Sequence, residues 1–346
     1  MSPSQPGHLT HAEIFQQPET WPETAARVRR TALSGTEGAV LTGAGTSFFA
    51  ALAVEPAWPG ARAVPSTELF LDPRRYLSGP GPVVSFARSG DSPESIAVVE
   101  KLPGARHIAL TCNPEGRLAR WPGVEAILLD PRSNDRSLVM TSSFSNLVLA
   151  GLCLARPEEM DAALPLMCAE ARAALPALEA AARLLAQNPP ARVLVLASPA
   201  LAGAAREAWL KILEMTAGRV VPLAETYLGL RHGPMSFLEA ETLVICFVSS
   251  DPALRRYELD LVRELRAKKL GRLVAIAPPG VDGGLFDQVL ATRASALPDC
   301  LRTPADIVFP QLLAYHLSLR VGLDPDSPSP GRVITRVVEG VRIYED

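Results

Sequence analysis

The chain has 346 residues, 48% of them hydrophobic, and a formal net charge of −3. That is enough for two ordinary α/β domains with separate cores, and it argues against disorder. Acidic residues slightly outnumber basic ones, so nothing electrostatic favours a nucleic-acid partner. No apolar run reaches the roughly 20 residues of a membrane span, and Met1 to Thr10 lacks the apolar core of a leader, so no membrane partner and a cytoplasmic location are expected.

Residues 1–35 read as a tail followed by helix, with Thr10 as a cap and Glu13 three positions on. Apolar strands then alternate with helical stretches, the grammar of a parallel sheet covered by helices. Strands are expected at Ala39–Thr42, Pro82–Phe86, His107–Thr111 and Glu125–Leu129, and helices at Ser92–Leu102 and Ser143–Leu154. An Ala/Leu/Glu-rich helical connector covers 157–190 and closes on Asn188-Pro189-Pro190, taken as the domain border. The second half repeats the pattern with strands at Val193–Ala197, Thr242–Val248, Leu273–Ala277 and Ala291–Ala296. Corresponding strands lie roughly 150 residues apart, the displacement of a duplicated domain and not of a solenoid. The expected division is tail and helix 1–35, ligand-binding first domain 36–156, connector 157–190, second domain 191–325 and a C-terminal tail 326–346 that completes the site.

The five cysteines (Cys112, Cys153, Cys168, Cys246, Cys300) form no CxxC pair and have no histidine cluster nearby. Most read as buried, reduced core residues, and no metal or cofactor is expected.

Chemistry concentrates in short loops. Gly43-Ala44-Gly45-Thr46-Ser47 follows a strand and opens a helix, where glycines permit a tight turn and backbone N–H groups favour an anion. Alone it could equally be a turn with an N-cap serine. Arg88-Ser89-Gly90-Asp91-Ser92-Pro93 repeats the design after the next strand, and Thr141-Ser142-Ser143 opens another helix. Two such loops at the carboxyl ends of neighbouring parallel strands, with a third hydroxyl cluster in the same half, suit a phosphate monoester. A third dinucleotide-type glycine is missing, as is GxxxxGK[ST], so neither a dinucleotide nor a nucleoside triphosphate is expected.

In the second half Glu207, Lys211 and Glu214 fall at i, i+4 and i+7, on one helix face. A solvated stripe is the plainer reading of that face. His232 stands just before a Gly-Pro turn and is suited to proton transfer near neutral pH, though a surface histidine would serve there too.

Together, Gly45-Thr46-Ser47, Arg88–Ser92, Leu210–Glu214 and Arg231-His232-Gly233-Pro234 resemble the isomerase half of glucosamine-6-phosphate synthase. Ile14–Trp21, Val84–Gly90, Thr111–Gly116, Asn134–Phe144 and Arg336–Tyr344 make the whole chain similar to the tagatose-6-phosphate ketose/aldose isomerase family, which acts as a galactosamine-6-phosphate deaminase/isomerase. The resemblance implies two tandem SIS domains, each a flavodoxin-like three-layer sandwich.

It implies phosphate or sugar binding by Gly45, Thr46, Ser47, Arg88, Ser89, Gly90, Ser92 and Ser142. Glu214 becomes the C1/C2 proton shuttle, expected to be buried, with Lys211 beside it, and His232 the ring-opening histidine supplied by the partner of a homodimer. Three departures from the synthase stand out: Ala87 and Arg88 replace serine and glutamine, Glu339 replaces a Schiff-base lysine, and the glutaminase domain is absent, so glutamine is not the expected nitrogen source. The implied reaction turns galactosamine 6-phosphate into tagatose 6-phosphate and ammonia. Alternatives are action on another hexose or aminohexose 6-phosphate, such as glucosamine or fructose 6-phosphate, or phosphosugar sensing without catalysis.

Overall fold

The computed structural model describes residues 8–31, 33–77, 79, 81–338 and 340–344. It contains two compact units, one of residues 16–164 with 334–346 and the other of residues 1–15 with 165–333. The division falls within the 157–185 helix, between residues 164 and 165, and not at Asn188-Pro189-Pro190.

The first unit is built on a parallel sheet of β1 (Val40–Gly43), β2 (Arg62–Pro65), β3 (Val83–Ala87), β4 (His107–Thr111) and β5 (Val124–Leu128), in the order β2-β1-β3-β4-β5. β1, β3 and β4 are buried along their whole length, as central parallel strands covered on both faces must be. The Gln17–Arg30 helix packs on the Ser142–Ala155 helix through fully buried Trp21, whose Nε1 donates to Ser145 Oγ at 3.0 Å, and through Thr24 Oγ1, which donates to Asn146 Oδ1 at 2.6 Å.

The second unit repeats the arrangement with β6 (Arg192–Ala197), β7 (Val221–Thr226), β8 (Leu243–Phe247), β9 (Arg272–Ala277) and β10 (Gln288–Ala291). Its order, β10-β9-β8-β6-β7, is the first sheet's order element for element. Leu194, Val244, Leu261, Leu265 and Leu273 are among its fully buried core.

Three sequence expectations change. β2 and β7 went unread in both halves; they are edge strands carrying Pro65 and Pro222, without the apolar run of a central strand. The last expected strand ends at Ala291 instead of running to Ala296, and residues 294–296 form a 3₁₀ turn. Thr10 is not the cap of the Leu9–Phe15 helix. The Asp326 carboxylate accepts from the Leu9 and Thr10 amides at 2.9 and 2.8 Å, and a full negative charge meets a helix start better than a hydroxyl.

The five cysteines are all free. Burial pushes the Cys112, Cys153 and Cys246 thiols up to about 12, which makes them inert packing residues.

Glu179, on the 157–185 helix, accepts from His316 Nε2 at 2.7 Å and lies 3.4 Å from His11 Nε2. Burial opposes its charge, but the two histidines outweigh that and pull its pKa from the ordinary 4.5 to about 2. A carboxylate with a depressed folded pKa contributes stability above its unfolded value, and that contribution is lost as pH falls through the folded one. Urea unfolding at a series of pH values is therefore expected to show stability declining between pH 4.5 and about 2, with a shallower decline for Glu179→Gln.

Candidate active site

In the first sheet β1 connects to β2 on one side and β3 to β4 on the other, so the adjacent strands β1 and β3 form the switch point where open α/β sheets carry a crevice. A cavity of about 130 Å³ lies there. Ser47 enters it from the β1 loop, and Arg88, Ser89, Gly90 and Ser92 from the β3 loop. Ala44, Phe86, Ala87, Glu94, Ser95, Met140 and the tail residues Arg336, Val337 and Val338 complete the wall.

The turn after β1 is shaped by glycine. A Cβ at Gly43 would stand 2.6 Å from the Ser47 carbonyl carbon, closer than real atoms approach, and Gly45 has φ 56°, a region other residues rarely adopt. Gly45 is itself the N-cap of the Thr46–Val54 helix and makes no side-chain cap bond. Ser47, in the first turn of that helix, is part of the cavity wall. Gly45 and Thr46 shape the same turn but lie outside the cavity wall.

In the β3 loop the Ser89 carbonyl accepts from Asn113 Nδ2 at 2.9 Å, and Ser92 Oγ lies 2.7 Å from Ser95 Oγ. Ser92 is the N-cap of the Pro93–Lys101 helix, again without a side-chain cap bond. Arg88 is almost fully buried; its Nη1 donates to the Leu138 carbonyl at 3.3 Å and its Nη2 to the Arg336 carbonyl at 2.5 Å.

The third hydroxyl cluster is engaged differently. The buried Asp135 carboxylate accepts from the amides of Thr141, Ser142 and Ser143 at 2.8, 3.0 and 2.8 Å, and also from the Thr141 and Ser143 hydroxyls. An aspartate of the chain itself occupies that helix start, and fully buried Ser142 lies outside the cavity wall. An aspartate six residues ahead of a Thr-Ser-Ser helix start was the sequence signal for this arrangement. The tail's part in the wall had no signal beyond the closing string that carries the family likeness.

The corresponding turns of the second sheet are filled in the same manner. The Ser249 amide donates to Glu258 Oε2 at 2.7 Å and the Ser250 amide to Asp299 Oδ1 at 2.8 Å. The Ser198 hydroxyl binds Glu258 and the Ser249 hydroxyl binds Asp299. Fully buried Arg302 neutralises Asp299 and Asp306. Carboxylates of the chain thus stand at the second switch point, where the first has its cavity.

The Glu207–Lys211–Glu214 face is not a solvated stripe. Glu207 and Lys211 are fully buried, and Lys211 Nζ lies 3.4 Å from Glu207 Oε1 and 2.6 Å from Glu214 Oε2. Burial opposes the lysine's charge, but the two carboxylates outweigh it and hold its pKa above the usual lysine value. Glu214, expected to be buried, keeps 38% of its side chain exposed: it is the carboxylate that can meet a ligand, while Glu207 fixes the lysine from below. His232 follows a 3₁₀ turn and is exposed, with no side-chain hydrogen bond among the described residues. Glu339 lies outside the described residues.

Two parallel sheets of one strand order, the first with an open hydroxyl-lined crevice at its switch point, define a tandem SIS-type α/β protein. No family model matches the chain. The D-galactosamine-6-phosphate deaminase AgaS of Escherichia coli is 34% identical, over 98% of this chain and 96% of its own length. A Streptomyces coelicolor protein that also carries the name AgaS is 38% identical, over 97% and 95%. The crystal structure of the tagatose-6-phosphate ketose/aldose isomerase from Escherichia coli superposes with a TM-score of 0.87 at 31% identity, covering 98% of this chain and 97% of that one. The chain belongs to the D-galactosamine-6-phosphate deaminase AgaS family.

Breaking a buried ion pair from one side costs about 3–5 kcal/mol. Lys211→Met removes the cation beside buried Glu207, and urea unfolding is expected to show a loss of that order. A Lys211→Met/Glu207→Gln double variant is expected to recover most of it.

Proposed function

We propose that the chain is a phosphosugar aldose–ketose isomerase and deaminase that converts galactosamine 6-phosphate and water to tagatose 6-phosphate and ammonia. The observation that carries this reading is the convergence of Ser47, Ser89 and Ser92 on one cavity at the switch point of the first sheet, in a chain of this family. Neutral hydroxyls and backbone N–H groups suit a phosphate monoester, whose binding energy then places the reacting carbons.

His232 assists ring opening. Glu214 takes the proton from C2 of the open-chain amino aldose and returns one to C1, leaving an imine at C2 and a hydroxymethyl group at C1. Water adds to the imine carbon, the C–N bond breaks, and ammonia leaves with the ketose 6-phosphate. Lys211, held in place by Glu207, stabilises the ionised form of Glu214 before it takes the C2 proton and after it has given one to C1. A cytoplasmic location is supported by the five free cysteines, which suit a reducing compartment.

The exposed, unbonded His232 ring supports a homodimer in which each site borrows the partner's histidine. Mixing Glu214→Gln with His232→Asn protein tests this. If the histidine crosses the interface, half of the dimers carry one intact site and about a quarter of wild-type activity returns; if it acts within its own chain, mixing restores nothing.

Ammonia and ketose are expected to form in equal amounts from galactosamine 6-phosphate, and ketose without ammonia would exclude deamination of that substrate. Glu214→Gln is expected to lower turnover more than about 100-fold with phosphosugar binding retained. Titration with inorganic phosphate is expected to give one site per chain. Ser89→Ala should weaken that site about 5- to 10-fold, whereas Ser250→Ala, at the carboxylate-filled turn, should leave it unchanged.

A further inference from the structure

Residues 333–344 contain no helix or strand among those described, and Val333 and Ile334 are 80% and 64% exposed. The position of this tail therefore depends on a few polar links. Arg336 makes them. Its Nε donates to the Asp135 carbonyl at 2.7 Å, and its Nη2 donates to Asn134 Oδ1 at 2.6 Å and to the same carbonyl. Its own carbonyl accepts from Arg88 Nη2 at 2.5 Å. The next two residues, Val337 and Val338, are cavity wall. Asp135, whose carbonyl receives the guanidinium, is the residue whose carboxylate caps the Ser142–Ala155 helix.

We propose that Arg336 is a positioning residue for phosphosugar binding: it pins the tail to the Asn134-Asp135 turn, so that Val337 and Val338 close the cavity beside the serine loops. This rests on the phosphosugar reading of the cavity. Because Arg336 acts through the wall and not on the reacting carbons, its loss is expected to weaken capture of the sugar and spare the chemical step. The fork geometry matters: a lysine can keep one of the two bonds but cannot span both acceptors.

The test is steady-state kinetics of Arg336→Gln and Arg336→Lys with galactosamine 6-phosphate, inorganic phosphate titration, and amide hydrogen exchange of the unliganded proteins. Arg336→Gln is expected to raise KM about tenfold or more with kcat within about twofold of wild type, and to weaken phosphate binding by a comparable factor. The amides of Val337, Val338, Ser142 and Ser143 should exchange faster, and Arg336→Lys should fall between wild type and Arg336→Gln.

Unchanged KM and phosphate affinity with only a lowered thermal midpoint would overturn the proposal and leave Arg336 a structural residue; unchanged exchange would show that the tail is not held by it. If Arg336→Gln does not fold, Arg336→Lys decides by the same readouts. Should wild-type protein not turn over galactosamine 6-phosphate, the functional reading fails by itself. The tail proposal is then judged on exchange and phosphate affinity, and unchanged values in the variants would reject it.

Discussion

Backbone N–H groups at the start of a helix have no partner within the helix and must be met by water, a side chain or a bound anion. A parallel sheet collects several such starts at one end, and the way each is met determines what the protein can hold. At the Ser142–Ala155 helix the aspartate at 135 meets three amides at once. At the second sheet's switch point Glu258 and Asp299 do the same for Ser249 and Ser250. At the β1 and β3 turns the N-cap residues Gly45 and Ser92 make no side-chain cap bond, and Ser47, Ser89 and Ser92 line a cavity there. In the second sheet Glu258 and Asp299 fill the switch-point turns, whereas in the first the Asp135 carboxylate meets a different helix start and leaves the switch point open.

The buried charges follow a second pattern. Lys211 and Arg302 are fully buried cations, each paired with two carboxylates of its own unit. Such pairs contribute little net stability over apolar residues of similar volume, since desolvation offsets most of the attraction. What they fix is geometry. Arg302 holds Asp299 against the Ser249 and Ser250 turn, and so keeps that turn filled. Lys211, anchored by buried Glu207, presents its ammonium to the one carboxylate of the three-residue face that reaches solvent.

Central elements were legible in the sequence because their burial is written in composition: Val83–Ala87 and His107–Thr111 are apolar runs bounded by turns, and both fall within a residue of expectation. The edge strands β2 and β7 were not, since one-sided burial and proline erase the apolar signal. The serine loops could be read as anion sites because glycine and hydroxyl residues follow strand ends. Their difference from the Thr141-Ser142-Ser143 turn could not, because that depends on where the Asp135 side chain points. Nor does helical spacing alone reveal that Glu207 and Lys211 are buried while Glu214 is open. An i, i+4, i+7 face looks the same on paper whether it meets water or core.

The cavity wall adds a constraint of connectivity. Arg88 and Arg336 meet across 248 positions of sequence. The entropy cost of closing such a loop grows only with the logarithm of its length, and the intervening chain is folded in any case. A handful of hydrogen bonds is therefore enough to hold the tail, where apolar burial is slight. The same arithmetic makes the wall easy to undo, since each such bond is worth only about 0.5–1.5 kcal/mol net, or somewhat more with a charged partner. A segment pinned by one arginine fork is thus the part of the wall that a single substitution can free without disturbing the sheet that carries the serines.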